Sequence, residues 1–292
     1  MLSTGKYLLA SERDALWGLT VSTVGKEVNA PMSDYPTKGH ADGYYFDISK
    51  GRTLDEYQLL YTASGEGTFQ STHCPETRVK QGDIFMLFPG EWHTYHPVKE
   101  KGWTSYWIGF QGKNIDDRVR HGFLSPEKPI YHVGFCNEII HLYDEALRTA
   151  NEETAYMQQT LAGIVNHLIG LMYSQERNII LNKDSHHVDL INRARMRIRE
   201  TLEENVTIQE IAQELGISYS SFRKLFKEHT DFAPAMYQQS LRLQRAKELL
   251  STTDASIKEI AYRLNFESPD YFSAKFKTQT GMKPSEFRNL SR

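Results

Sequence analysis

TIQEIAQELGISYSSFRKLFKEHT, from Thr207 to Thr230, and SIKEIAYRLNFESPDYFSAKFKTQTG, from Ser256 to Gly281, are two renderings of one pattern. Each opens on a residue, Thr207 or Ser256, whose side-chain oxygen can accept from the free amides of a first helical turn. A short amphipathic helix follows. Ile208, Ile211, Ala212 and Leu215 recur at the three-and-four spacing of one buried face, matched by Ile257, Ile260, Ala261 and Leu264. The alanines are small where a second helix must cross. Gly216 in one copy and Asn265 in the other tolerate the left-handed backbone of a helix end. Ser218 or Ser268 then caps a second helix, whose inner face holds Phe222, Leu225 and Phe226, or Phe272 and Phe276. Outward it shows Tyr219, Ser220, Arg223, Lys224 and Lys227, or Pro269, Asp270, Ser273, Ala274 and Lys277.

Two helices joined by a tight turn, the second showing short polar and cationic side chains, fit a helix into a DNA major groove. One such hairpin is equally a piece of an ordinary all-helical domain; the duplication shifts the reading to DNA. Between the copies, AMYQQSLRLQRAKELL has no internal Gly or Pro. As one helix from about Ala233 to Leu250 it would be about 27 Å long, comparable with the ~34 Å between successive major-groove turns on one DNA face.

The run from Val206 to Arg288, with FRKLFKEHT, LRLQRAKELL, IKEIAYRLNFES and YFSAKFKTQTGMKPSEFR, resembles the two-motif DNA-binding domain of AraC/XylS transcription regulators. It departs from the family pattern at Asp231 and at Asn265-Phe266, where relatives usually carry Gly and Gly-Phe, and at Ala274, where many carry Arg. The resemblance implies that Ser220, Arg223 and Lys224 meet base edges, with Tyr219 and Lys227 beside them. Arg223 leads because a guanidinium bonds guanine in bidentate fashion. The second motif offers Asp270, Ser273 and Ala274 in the equivalent places, with Lys275 and Lys277 on phosphates. The first motif is therefore expected to specify and the second to anchor.

Charge divides along the chain. From Val188 onward there are 17 Lys+Arg against 14 Asp+Glu, whereas the remainder has 17 against 23, so the acidic part is not the part expected on DNA. The cluster Arg193, Arg195, Arg197 and Arg199 reads as a solvated helix face. Cys74 and Cys136, far apart, make neither a disulfide framework nor a paired-Cys metal signature, which implies a reducing, cytoplasmic setting. The N-terminal MLSTGKYLLASERD lacks the apolar core of a signal peptide, and no stretch approaches the ~18 apolar residues of a membrane span.

The first half reads as the short strands of a small antiparallel barrel or sandwich: YYFDI, EYQLLYTASGEGTFQ, TRVKQGDIFMLFPGEWHTYHP and GWTSYWIGFQG. Gly65-Glu66-Gly67 predicts a tight hairpin and Gly82-Asp83 a second turn before the apolar strand Ile84–Phe88. GDIFMLFPGEWHTY followed by GWTSYWIGF resembles the cupin barrel of sugar-sensing AraC-type regulators. Cupins also include metal enzymes, whose His-x-His pair and Glu bind a divalent ion. Here that strand carries Thr68, Phe69 and Gln70, and His73, His93 and His96 lack the pairing, so neither metal nor cofactor is expected, although a cupin enzyme fused to a DNA-binding module stays an alternative. The resemblance places Tyr95 and Trp107 against a sugar, with Arg52, Tyr57, His93, Ser105 and Tyr106 as polar neighbours able to satisfy hydroxyls.

From Cys136 to Ile179 the chain reads as helical. Met157, Leu161, Ile164, Leu168 and Leu171 form an a/d seam, widened by Val165, Ile169 and Met172 so that part of it is expected to pack on the barrel, and the resemblance implies that its exposed edge joins two copies in a homodimer. LNKDSHH, Leu181–His187, reads as a linker. The expected architecture is α+β: a cupin-like β-barrel with following helices for sensing and dimerisation over 1–180, a linker over 181–187, and an all-α domain with two helix-turn-helix motifs over 188–292. The function implied is a sequence-specific transcription regulator, an activator of carbohydrate-utilisation genes under a small-molecule effector, a sugar, with promoter DNA and RNA polymerase as partners. A non-sugar or protein effector is the other reading kept open.

Overall fold

The computed structural model describes residues 4–36, 47–181 and 185–291. The chain divides into two compact units, the first ending at Ile180 and the second starting at Leu181. The first contains β1 (Thr4–Tyr7), α1 (Glu12–Ala15), β2 (Thr20–Asn29), β3 (Tyr57–Ser71), β4 (Thr77–Lys80), β5 (Asp83–Leu87), β6 (His93–Pro97), β7 (Trp103–Gln111), α2 (Lys113–Arg120), β8 (Ile130–His132), α3 (Asn137–Glu152) and α4 (Met157–Leu181). Tyr44–Phe46 of the first expected strand lie outside the described residues.

The sheet is antiparallel, and it does not close. Its ladder runs β1-β2-β7-β3-β5-β8, with β4 and β6 paired to the far half of β3. The expected barrel is instead an open, folded-over sheet, because β3 serves both layers: Tyr57–Gly65 pairs with β7, and Glu66–Ser71 lies between β4 and β6. Gly65 and Gly67 make no hairpin; β3 runs straight through them. They are glycines because neighbouring chain presses on them from both sides: a Cβ on Gly65 would meet the Gly102 oxygen at 2.1 Å, and one on Gly67 the His96 carbonyl oxygen at 2.4 Å and the Trp103 ring at 2.5 Å. The turn at Gly82 (φ 87°) lies where the sequence puts it.

Strand alternation builds two cores. Leu59, Tyr61, Ile84, Met86, Tyr106 and Ile108 face α3 and α4, while Leu60, Phe85, Leu87 and Trp107 face between the two layers with Phe69, Val79 and Trp103. Tyr143 of α3 donates its hydroxyl to the Leu59 carbonyl at 3.1 Å. Gln158 of α4 repairs the bulge between Val21 and Thr23: Val21 donates to its Oε1 at 2.8 Å, and its Nε2 donates to the Val21 carbonyl at 2.9 Å. The expected helix from Cys136 to Ile179 is broken at Glu153 and Tyr156, both at positive φ.

The expected dimer seam is corrected by this packing. Leu161 and Leu168 are fully buried and Ile164 nearly so, all in the core beneath the chain's own sheet, with Leu171 packed at its edge and Met157 half-buried. Val165, Ile169 and Met172 widen the stripe to the breadth that covers a sheet, not the narrow seam of a coiled coil.

The second unit is helical: α5 (Ser185–Glu200), α6 (Ile208–Glu214), α7 (Tyr219–Thr230), α8 (Pro234–Thr252), α9 (Ile257–Arg263), α10 (Pro269–Thr280) and α11 (Pro284–Leu290). Of the expected linker, Leu181 ends α4 and Ser185–His187 belong to α5, whose apolar face begins only at Leu190; residues 182–184 lie outside the described residues.

Candidate functional site

Between the sheet layers, Trp107 stands in register with Gly25 on one side and Leu60 on the other, and Ser105 stands between Glu27 and Thr62. The indole occupies the space that Gly25 leaves, since a Cβ there would sit 2.0 Å from Trp107 Cζ2 and one on Gly5 would sit 3.0 Å from the same atom. Two glycines thus make a slot that holds the ring. Arg52 pairs backbone to backbone with His93 at 2.9 Å in both directions. Its Nη2 donates to Tyr95 Oη at 2.8 Å and its Nε to His93 Nε2 at 3.3 Å. Arg52, Tyr95, Ser105 and Trp107, with Tyr7, Glu27, Tyr35, Gln58 and Leu60, line a recess. An aromatic wall with a guanidinium, a buried carboxylate, an amide and hydroxyls is suited to a small molecule with polar groups on its rim.

His93 sets the state of this cluster. It is 1 % exposed, and burial lowers its pKa to about 4, against the pull of the Glu91 carbonyl and with help from the Arg52 charge. Its Nδ1 lies 3.0 Å from that carbonyl, so Nδ1 carries the proton and the neutral ring offers Nε2 to Arg52. An unfolded histidine binds a proton below about pH 6.5 that the fold refuses, so the stability is complete above that value and is lost as pH falls toward about 4. The full loss is on the order of 3 kcal/mol. Thermal unfolding of His93→Gln between pH 7 and 4.5 is expected to show a shallower decline than the wild type. Parallel curves would mean that another group carries the acid sensitivity.

The helical unit repeats itself in bonding as well as in sequence. Thr207 and Glu210 form a capping box, as do Ser256 and Glu259. Ser218 accepts from the Ser221 amide and Ser268 from the Tyr271 amide. Both first helices end on a left-handed residue, Gly216 (φ 70°) or Asn265 (φ 55°), after which Ile217 donates to the Ala212 carbonyl and Phe266 to the Ala261 carbonyl. Asp231 (φ 60°) and Gly281 (φ 81°) close the second helices in the same way, so both departures at these turns keep the left-handed geometry. On α7, Tyr219, Ser220, Arg223, Lys224 and Lys227 are exposed along one stripe. Among the described residues none of those three cations has an ion-pair partner, whereas Arg197 of α5 binds Glu214 at 2.8 Å and Arg195 lies over the Tyr237 ring. On α10, Asp270, Lys275 and Lys277 are exposed, Ser273 is half-buried, and Lys275 sits 5.5 Å over the Tyr271 ring. With 19 residues, α8 is about 28 Å long.

The AraC-like ligand binding domain family matches residues 36–191, and a helix-turn-helix domain family matches residues 190–290. The chain belongs to the AraC family of transcription regulators. The raffinose operon transcriptional regulatory protein of Pediococcus pentosaceus is 28% identical over 244 residues, covering 82% of this chain and 87% of that protein. The lactose operon transcription activator of Staphylococcus xylosus is 26% identical, over 83% of this chain and 88% of that one. The arabinose operon regulatory protein of Escherichia coli K12 is 26% identical, over 90% and 91%. This AraC-family chain is a DNA-binding regulator with an effector domain, not an enzyme.

The regulator's fold brings Arg52, His93, Tyr95, Ser105 and Trp107 together and leaves two expected pocket residues elsewhere. Tyr106 points to the helices, where its ring lies 5.5 Å from that of Tyr143. Tyr57 is also on that side, stacked on Phe110, and its hydroxyl donates to Asp116 at 3.0 Å; burial and that carboxylate push its pKa up to about 12. The reason is parity: neighbours on a strand face opposite ways, so Tyr106 and Trp107 cannot share a pocket. The same parity, applied to β2 and β3, marks Glu27 and Gln58, which residue type alone did not. Among the described residues no group of three or more His, Cys, Asp or Glu is placed to hold a metal ion, and no helix is long and apolar enough to cross a membrane.

Proposed function

We propose that this regulator activates carbohydrate-utilisation genes in the cytoplasm, in concert with RNA polymerase, when a sugar enters the recess beside Trp107. The observation that carries the reading is the indole seated on Gly25 next to the Arg52–Tyr95 pair, an apolar ring face beside fixed hydrogen-bonding groups. The operons named for the three relatives support it. On the DNA side, Arg223 with Ser220 and Lys224 reads bases, while Tyr219 and Lys227 and the second motif's Asp270, Ser273, Lys275 and Lys277 chiefly hold the chain on the duplex. A homodimer belongs to the reading as well, through the outward side of α4, where Gly163, His167 and Gly170 are exposed. An effector shifts such a system only if it binds one arrangement more tightly than the other.

Thermal unfolding of the wild type and of Trp107→Ala against mono- and oligosaccharides tests the sugar. A ligand at a hundred times its Kd stabilises by about 2.7 kcal/mol. A shift with one sugar, absent in the variant, supports the proposal; no shift with any sugar moves the recess to another ligand class or to a protein contact.

A further inference from the structure

Glu203 lies between α5 and α6, in the half of the helical unit built around the first motif, yet both its carboxylate oxygens are held by the other half. Arg245 of α8 donates Nε to one oxygen at 3.1 Å, and Arg263 at the end of α9 donates Nε to the other at 2.8 Å. The next carbonyl, that of Glu204, accepts from Asn265 Nδ2 at 2.9 Å, and the Asn265 carbonyl accepts from Arg242 of α8 at 3.3 Å. Asn265 thus does more than tolerate a left-handed turn: its amide ties that turn to the loop before the first motif.

The apolar packing leaves this junction important. One core gathers α5, α6 and α7, the other α9 and α10 with Phe287 of α11, and α8 is shared, with Tyr237 and Leu241 on the first and Leu243, Ala246, Leu249 and Leu250 on the second. The motifs are therefore two separately packed bodies strung on one helix. Reading two DNA segments at once demands a defined angle between them, because one extra base pair turns the second segment by about 34–36° and displaces it by about 3.4 Å. A lone exposed ion pair constrains little, but a carboxylate held by two guanidinium groups beside an amide–carbonyl bond is a network.

We propose that Glu203 is a positioning residue that fixes the angle between the two reading helices and so determines which spacing between two DNA segments the regulator accepts. This rests on the reading that both motifs engage DNA. The test is selection from a randomised 30-base-pair duplex pool by the full chain, as wild type, Glu203→Ala and Glu203→Gln. The Gln variant keeps the shape while turning an amide NH2 toward a guanidinium. The wild type is expected to recover two segments at one spacing, preferred over a spacing one base pair longer by about tenfold; both variants are expected to recover the same two segments with that preference reduced below about threefold. Spacing is a readout that a general loss of stability does not move. A single unchanged spacing in both variants, or loss of one segment altogether, would overturn the proposal. A wild type that selects only one segment would overturn the two-motif reading beneath it.

Discussion

Replacing Arg223 with alanine is expected to lower the affinity of the full chain for a duplex it has selected by about 1–3 kcal/mol and to relax base preference at one position. Arg223 is exposed on α7 with no ion-pair partner among the described residues, so truncation removes nothing internal; the fold and its unfolding temperature stay as they are. Lys227→Ala on the same helix is expected to weaken binding evenly across sequences and to reduce the salt dependence by about one unit of slope. Ser273, the counterpart of Arg223 on α10, is half-buried and carries no charge, so Ser273→Ala has the smaller effect on preference. Binding measured against single-base variants of the duplex decides the matter. Unchanged preference in Arg223→Ala with lost preference in Ser273→Ala would reverse the division of labour between the motifs.

Gly25→Ala is expected to destabilise the sheet unit by about 1–3 kcal/mol and to remove any effector-induced thermal shift. The added methyl would lie 2.0–2.5 Å from three atoms of the Trp107 indole, and the ring cannot retreat, because Leu60 lies in register on its other side. A Gly25→Ala protein that kept both its unfolding temperature and its ligand response would show that the indole is not held by this slot.

The helical unit was legible because its signals are local. Caps, helix-end glycine or asparagine, and the three-and-four spacing of Ile211, Ala212 and Leu215 each act within one or two turns, and the duplication repeats every one of them. The sheet unit depends on longer-range pairing. Nothing within Ser64–Phe69 says that Gly65 and Gly67 yield to His96, Gly102 and Trp103 some thirty to forty residues onward, and a Gly-Glu-Gly run is read locally as a turn. The stripe on α4 has the periodicity of a seam whether it meets a twin or the chain's own sheet; only the width contributed by Val165, Ile169 and Met172 separates the two. Residue type alone points to Tyr57 and Tyr106 as pocket residues, where alternation excludes them. Gly25 carries no local signal, because a glycine inside a strand gains its meaning from what lies opposite, here Trp107, and Glu27 gains its own from Ser105.

The sheet between recess and helices is a single strand thick. Leu60 faces the recess, and its neighbours Leu59 and Tyr61 face α3 and α4, with the Leu59 carbonyl bonded to Tyr143. Such a layer behaves as a drumhead, with no interior in which a displacement can be absorbed. A molecule that pressed on Leu60 would therefore be expected to act on the face where both helices rest.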